Sequence, residues 1–120
     1  MLINELSKLT GVSVHTIRFY EKSGLIKGKR NPAVKSNNYF HYDEEAVEKL
    51  ELIRDAKSVG FTLQEIAQLM DAWYNKRFSV AAKLSVLDDK LLTINQRIEQ
   101  LKQMKKLIAQ FKKEVIKNNC

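Results

Sequence analysis

Val12-Ser13-Val14-His15-Thr16-Ile17-Arg18-Phe19-Tyr20-Glu21-Lys22-Ser23-Gly24-Leu25 is the stretch on which the reading of this chain turns. Ser13 is placed to accept a hydrogen bond from a free amide of a first helical turn, the N-cap role of serine. Val14, Ile17 and Glu21 recur at helical spacing on one side, with His15, Thr16, Arg18 and Tyr20 distributed over the rest. Gly24 closes the helix cheaply, because a residue without a Cβ enters the left-handed region at no steric cost. Upstream, Ile3 to Gly11 read as a second short amphipathic helix with its own terminal glycine. Two short helices across a tight turn, the second carrying base-capable side chains, make a helix-turn-helix. The expectation is a DNA reader.

The segments around this one follow in order. Residues 25 to 42 hold Gly28, Lys29, Arg30, Asn31, the only proline at Pro32, and Ser36-Asn37-Asn38. Turn formers mixed with cations predict a hairpin loop, a wing, between short strands at Leu25-Ile26 and Tyr39-Phe40. A helix is expected to begin at Asp43, with Glu44, Glu45 and Glu48 at its positive end and Ala46, Val47, Leu50, Ile53 and Ala56 facing inward. Gly60 ends it. Thr62 and Glu65 then form a capping box for a further helix whose buried face is Leu63, Ile66, Leu69 and Met70.

From about Val80 to Ile116 there is no glycine or proline. Leu84, Leu87, Leu91, Ile94, Ile98 and Leu101 recur at spacings of three and four, the seam of a coiled coil. Beyond Leu101 the seam moves to Met104, Ile108, Phe111 and Val115, a three-residue shift that alters the supercoil locally. Such a helix is roughly 50 Å long at 1.5 Å per residue. Its stripe is too long to be covered by a small head, so an antiparallel two-fold partner is expected. The fold expected is mainly α: a winged helix-turn-helix head over residues 1 to 75, then a long antiparallel coiled-coil dimerisation helix with a short tail over residues 76 to 120.

Three motifs, in order and correctly spaced, resemble the mercury-resistance-regulator (MerR) family of bacterial transcription factors. Arg18-Phe19-Tyr20-Glu21-Lys22-Ser23-Gly24-Leu25 resembles its R-x-Y-E-x-x-G-L signature. Asn37-Asn38-Tyr39-Phe40-His41-Tyr42 is similar to its N-G-Y-R-x-Y wing, and Ile53 to Ile66 to its second helical pair. The wing departs from the pattern at Asn38 and Phe40. Asparagine tolerates the left-handed turn, but a phenyl ring cannot bind phosphate. The resemblance implies a homodimer on a pseudopalindromic double-stranded promoter site. It also implies activation by distorting the promoter spacer, so that RNA polymerase holoenzyme engages both elements.

Arg18 leads the candidate contacts, because a guanidinium grips a phosphate or a guanine edge bidentately. The alternative for it is an ion pair with Glu21. Ser13 lies at the front of the same helix, and His15 and Thr16 there are candidate base readers. Tyr20 gives its hydroxyl to a phosphate, packs its ring into the head, or does both, since a tyrosine has an apolar body and a polar tip. Lys27, Lys29, Arg30 and Lys35 make the wing basic, fit to lie along phosphates. The resemblance adds a backbone contact at Tyr39 and a second phosphate clamp at Arg54 and Lys57.

Charge supports a polyanionic partner, since 21 Lys and Arg against 14 Asp and Glu give a net charge of +7. No apolar run approaches the ~20 residues of a membrane span, and no signal-peptide stretch opens the chain, so a cytoplasmic location is expected. The single cysteine, Cys120, allows no internal disulfide. One thiolate cannot complete a tetrahedral zinc site, and Arg77-Phe78-Ser79 stand where metal-sensing members of the resembled family keep a cysteine. No metal and no cofactor is therefore expected, and the signal is expected to be a small organic molecule, a protein partner or the protein's own abundance. No phosphate loop, paired carboxylates or nucleophile–base pair suggests an enzyme. Two other classes stay open: an excisionase-like DNA-architectural protein, against which the long helix argues, and an adaptor controlled by a protein partner.

Overall fold

The computed structural model describes residues 1–30, 40–75 and 79–118. The chain divides into two units, Met1–Arg77 and Phe78–Cys120. The first holds α1 (Ile3–Thr10), α2 (Val14–Lys22), β1 (Lys29–Arg30), β2 (Phe40–His41), α3 (Glu44–Ser58) and α4 (Leu63–Tyr74); the second is α5 (Val80–Asn118).

The turn between α1 and α2 is held by its own side chains. Gly11, at φ 73°, donates its amide to the Ser7 carbonyl, which closes α1. The buried Thr10 hydroxyl donates to the Leu6 carbonyl at 2.8 Å and accepts from the Val12 amide at 3.3 Å. Ser7 donates to the Val12 carbonyl at 2.6 Å. Ser13 then accepts from the Thr16 amide at 3.1 Å, the N-cap expected of it, and Gly24 at φ 80° follows the end of α2. Leu6, Ile17, Leu50, Ile53 and Ile66, one or two from each helix of the head, lie fully buried. Eight- and nine-residue helices are too short to persist alone in water, so this shared core is what keeps α1 and α2 helical.

The first strand differs from expectation. Lys29 pairs with His41 and Arg30 with Phe40, in antiparallel register, so the first strand lies four residues beyond Leu25-Ile26. Ile26 is claimed by the core instead. Pairing starts only past Gly28, where an added Cβ would stand 2.9 Å from the Phe40 Cβ and 3.1 Å from the Tyr42 ring. Directly after β2 the chain is fastened to the N-terminus: the Tyr42 amide donates to the Met1 carbonyl at 2.7 Å and the Met1 nitrogen donates to the Tyr42 carbonyl at 2.9 Å.

Asp43 caps α3 by accepting from the Ala46 amide at 3.1 Å. That bond, with the Lys29 ammonium 3.4 Å away, holds the exposed carboxyl below the usual carboxylate range. A lowered folded-state pKa stabilises the head above the unfolded value, and the contribution fades as pH falls through it. The capping box of α4 forms with both bonds, Glu65 amide to Thr62 hydroxyl at 3.2 Å and Thr62 amide to Glu65 carboxylate at 2.9 Å. Its buried face is Ile66, Leu69, Met70 and Ala72. Leu63, expected in that face, is 41% exposed, because it stands at the first helical position, ahead of the packed turns.

The 39 residues of α5 form one uninterrupted helix without a single buried side chain. Leu84, Leu87, Leu91, Ile94, Ile98 and Leu101 are 38–59% exposed, an apolar stripe along the helix.

Truncating a fully buried residue of α3, Ile53→Ala, should cost the head about 2–5 kcal/mol through lost burial and a residual cavity. A lowered urea midpoint with an unchanged slope is the expected result.

Candidate nucleic-acid interface

α2 turns Ile17 and Tyr20 into the core and leaves Ser13, His15, Arg18, Phe19 and Lys22 exposed, with Thr16 half-buried. Tyr20 is only 3% exposed, so of its two possible roles the structure displays the packing one. Arg18 makes no ion pair with Glu21 among the described residues. Glu21 is engaged elsewhere: its carboxylate accepts a hydrogen bond from the Tyr42 hydroxyl. Burial pushes that hydroxyl well above the usual phenol range, the hydrogen bond and charge of Glu21 add to the effect, and the Arg18 guanidinium opposes it. Tyr42 therefore stays protonated and donating. The bond joins α2 to the residue that follows β2, and it leaves the Arg18 guanidinium available beside it.

Arg54 has a structural task that the sequence did not disclose. Its Nη1 donates to the Thr10 carbonyl at 2.9 Å, the last carbonyl of α1, and its Nε lies 3.6 Å from the Asp55 carboxylate. A cation at a helix C-terminus satisfies an orphan carbonyl and complements the macrodipole. Arg54 thus pins α1 to α3, a role in the fold beside the phosphate clamp that the resemblance implies. The side chain remains half exposed, and Lys57 is exposed one turn on. In the wing, Lys29 is exposed and its pair with Asp43 is a weak surface one. Lys35, Tyr39 and the side chain of Arg30 lie outside the described residues.

A short helix with an exposed cationic face, tied through Glu21 to the residue that follows a two-stranded wing base, is the arrangement of a groove reader. The family model for MerR helix-turn-helix regulatory proteins matches residues 1–73, and the model for MerR DNA binding matches residues 47–111. The chain belongs to the MerR family. It is a DNA-binding transcription regulator, and members of this family bind promoter DNA as homodimers. This favours the regulator over the excisionase-like and adaptor alternatives.

This MerR-family chain is 43% identical over 105 residues to a probable heavy metal-dependent transcriptional regulator of Haemophilus influenzae, covering 87% of this chain and 79% of the relative. It is 36% identical over 107 residues to the regulator CueR of Escherichia coli O6:H1, covering 88% and 76%. Among solved structures, the lead(II) complex of the regulator PbrR691 from Ralstonia metallidurans CH34 superposes with a TM-score of 0.75 at 28% identity, covering 90% of this chain and 82% of that one. HiNmlR, a MerR-family regulator lacking the sensor domain and bound to promoter DNA, shares the fold with a TM-score of 0.63 at 20% identity, covering 86% and 76%.

Sequence reasoning missed two residues of this MerR head. Tyr42 was visible only as the last letter of the wing motif, and its tie to Glu21 spans 21 positions. Phe19, half exposed in the middle of α2, carried no marker of function beyond its place there. Among the described residues no group of three His, Cys, Asp or Glu could hold a metal, and no helix is long and apolar enough to cross a membrane. Cys120 lies outside the described residues.

Arg18→Ala and Arg54→Ala should separate cleanly. Loss of Arg18 should leave the melting midpoint unchanged and cost DNA binding about 1–3 kcal/mol, with relaxed preference at one position if the guanidinium reads a base. Loss of Arg54 should lower affinity for all sequences and destabilise the head by about 1 kcal/mol, the net worth of one hydrogen bond at a half-exposed site. Calorimetry and fluorescence anisotropy on both variants measure the two effects.

Tyr42→Phe removes one hydroxyl and leaves the ring. The expected outcome is about 1 kcal/mol of lost stability, together with weaker DNA binding as Glu21 is released to compete for Arg18. Restored affinity in the double variant Tyr42→Phe/Glu21→Gln is the sign that competition is the cause.

Proposed function

We propose that this regulator acts in the bacterial cytoplasm as a homodimer on a pseudopalindromic promoter site and distorts the spacer so that RNA polymerase holoenzyme engages both promoter elements. In each half-site α2 enters a major groove, with Ser13, His15, Thr16 and Arg18 toward base edges and phosphates. Lys29, Arg30, Lys35 and Tyr39 of the wing, and Arg54 with Lys57 of α3, follow the flanking phosphates. The observation that carries the dimer is the uncovered stripe Leu84, Leu87, Leu91, Ile94, Ile98 and Leu101. Six large apolar side chains repeating at three and four residues are the seam that a second helix covers. Deforming DNA costs a few kcal/mol, which two heads gripping together supply. Catalysis has no part in this reading.

The signal we infer is not a transition metal. A chain with one cysteine offers one thiolate, and the residue at the start of α5 is Ser79, whose hydroxyl is a poor ligand for soft metals. A small organic molecule, a protein partner or abundance alone fits this donor set. The heavy-metal dependence named for the Haemophilus influenzae relative favours the opposite reading. Equilibrium dialysis against copper(I) and zinc decides between them: retention at one metal per dimer, lost in Cys120→Ser, would make the thiol a sensor.

DNA affinity should fall along a steep straight line in a plot of log K against log salt, because several phosphates are neutralised at once. A flat line, or equal affinity for scrambled DNA at physiological salt, overturns the regulator reading. Ile98→Asp should place an unpaired charge in the seam at a cost of several kcal/mol and sediment as a monomer at micromolar concentration. An unchanged dimer would put the interface elsewhere.

A further inference from the structure

The outward face of α2 is not uniformly polar. Phe19 stands on it one turn beyond His15 and one turn before Lys22, with 49% of its surface in water. Its two flanking residues have clear tasks: Arg18 presents a cation, and Tyr20 is buried. The Phe19 ring has none within the fold. It is nevertheless braced, since the buried Tyr20 ring lies against it at 5.8 Å between centroids and 55° between planes. An exposed ring held from beneath loses little freedom when something docks on it. The R-x-Y-E signature also leaves this position open while fixing the residues on either side, so the signature itself does not dictate what is read there.

The major groove offers one apolar feature at the base edges, the C5-methyl group of thymine. A phenyl ring on the exposed face of a recognition helix, between a histidine and a lysine, is suited to it. We propose that Phe19 reads a thymine methyl in each half-site and so contributes to the sequence preference of this regulator. The proposal rests on the DNA-binding reading above and adds a determinant to it. Phosphate contacts, such as those proposed for the wing and for Arg54 with Lys57, position the helix without sequence information. Methyl burial under the ring then discriminates thymine from cytosine, whose C5 carries only hydrogen.

The test uses the full chain and a duplex that it enriches from a randomised pool. Each symmetric pair of thymines is replaced in turn by deoxyuridine, which removes the methyl and nothing else. Affinity is measured by fluorescence anisotropy at fixed salt. For the wild type, one pair should weaken binding about four-fold per half-site, the factor that burial of a single methyl carries. Phe19→Ala should bind the parent duplex more weakly and be indifferent to that replacement, while Phe19→Leu, apolar and still able to touch the methyl, should retain part of the dependence. A wild type insensitive to every replacement overturns the proposal, whatever the variants do. So does a Phe19→Ala protein that keeps the full methyl dependence, or one that loses affinity while no methyl matters, which would place the ring on the sugar–phosphate backbone. Failure to enrich any duplex would overturn the DNA-binding reading and this proposal with it.

Discussion

A nine-residue helix does not hold itself together in water, and everything this head does depends on holding one in place. α2 can spare only Ile17 and Tyr20 for the core, because the rest of its surface faces outward. The remaining constraint comes from its ends and flanks. Ser13 caps it, Gly24 releases the chain, and the Tyr42 hydroxyl holds Glu21 from the wing side. On the other flank α1 is tied to α3 by Arg54 on the Thr10 carbonyl. The tie acts on the helix that sets the entry of the turn, so it constrains α2 at one remove.

These ties share a logic. Each joins residues far apart in the chain, 21 positions for Tyr42 with Glu21 and 44 for Arg54 with Thr10. The first also leaves two charged side chains in a defined state: Glu21 is occupied and Arg18 is available. A carboxylate next to a guanidinium on a recognition helix would ordinarily compete with DNA for it. Directing the carboxylate to a buried phenol removes the competitor without removing the charge.

α5 poses a different problem. No side chain along it is buried, yet its apolar repeat is regular for three heptads and then shifts after Leu101. Exposed apolar surface of that extent on one chain signals a missing partner. Because the repeat is a property of the helix alone, it supports the proposal that the dimer contact lies in α5, a unit of the chain separate from the head.

Much of this was legible in the sequence because it is local. Caps at Ser13, Asp43 and Thr62, terminal glycines, and a 3.6-residue apolar period depend on residues within one or two turns, so a linear reading reaches them. The first wing strand was misplaced because strand position is set by pairing across the hairpin, and Gly28 allows the approach of Phe40 only where the two happen to face. Leu63 was misassigned because period identifies a stripe but not how far along it the core extends. By itself, then, the sequence determined the helix-turn-helix, the long coiled-coil helix and the candidate cations. Only the tertiary structure decided that Arg54 also serves the fold, that Tyr20 packs inward, that Tyr42 occupies Glu21 and that Phe19 remains outside. Those outcomes depend on which distant atom lies within 3 Å or on which side of a helix is covered, and neither distance nor cover is encoded in any single stretch of chain.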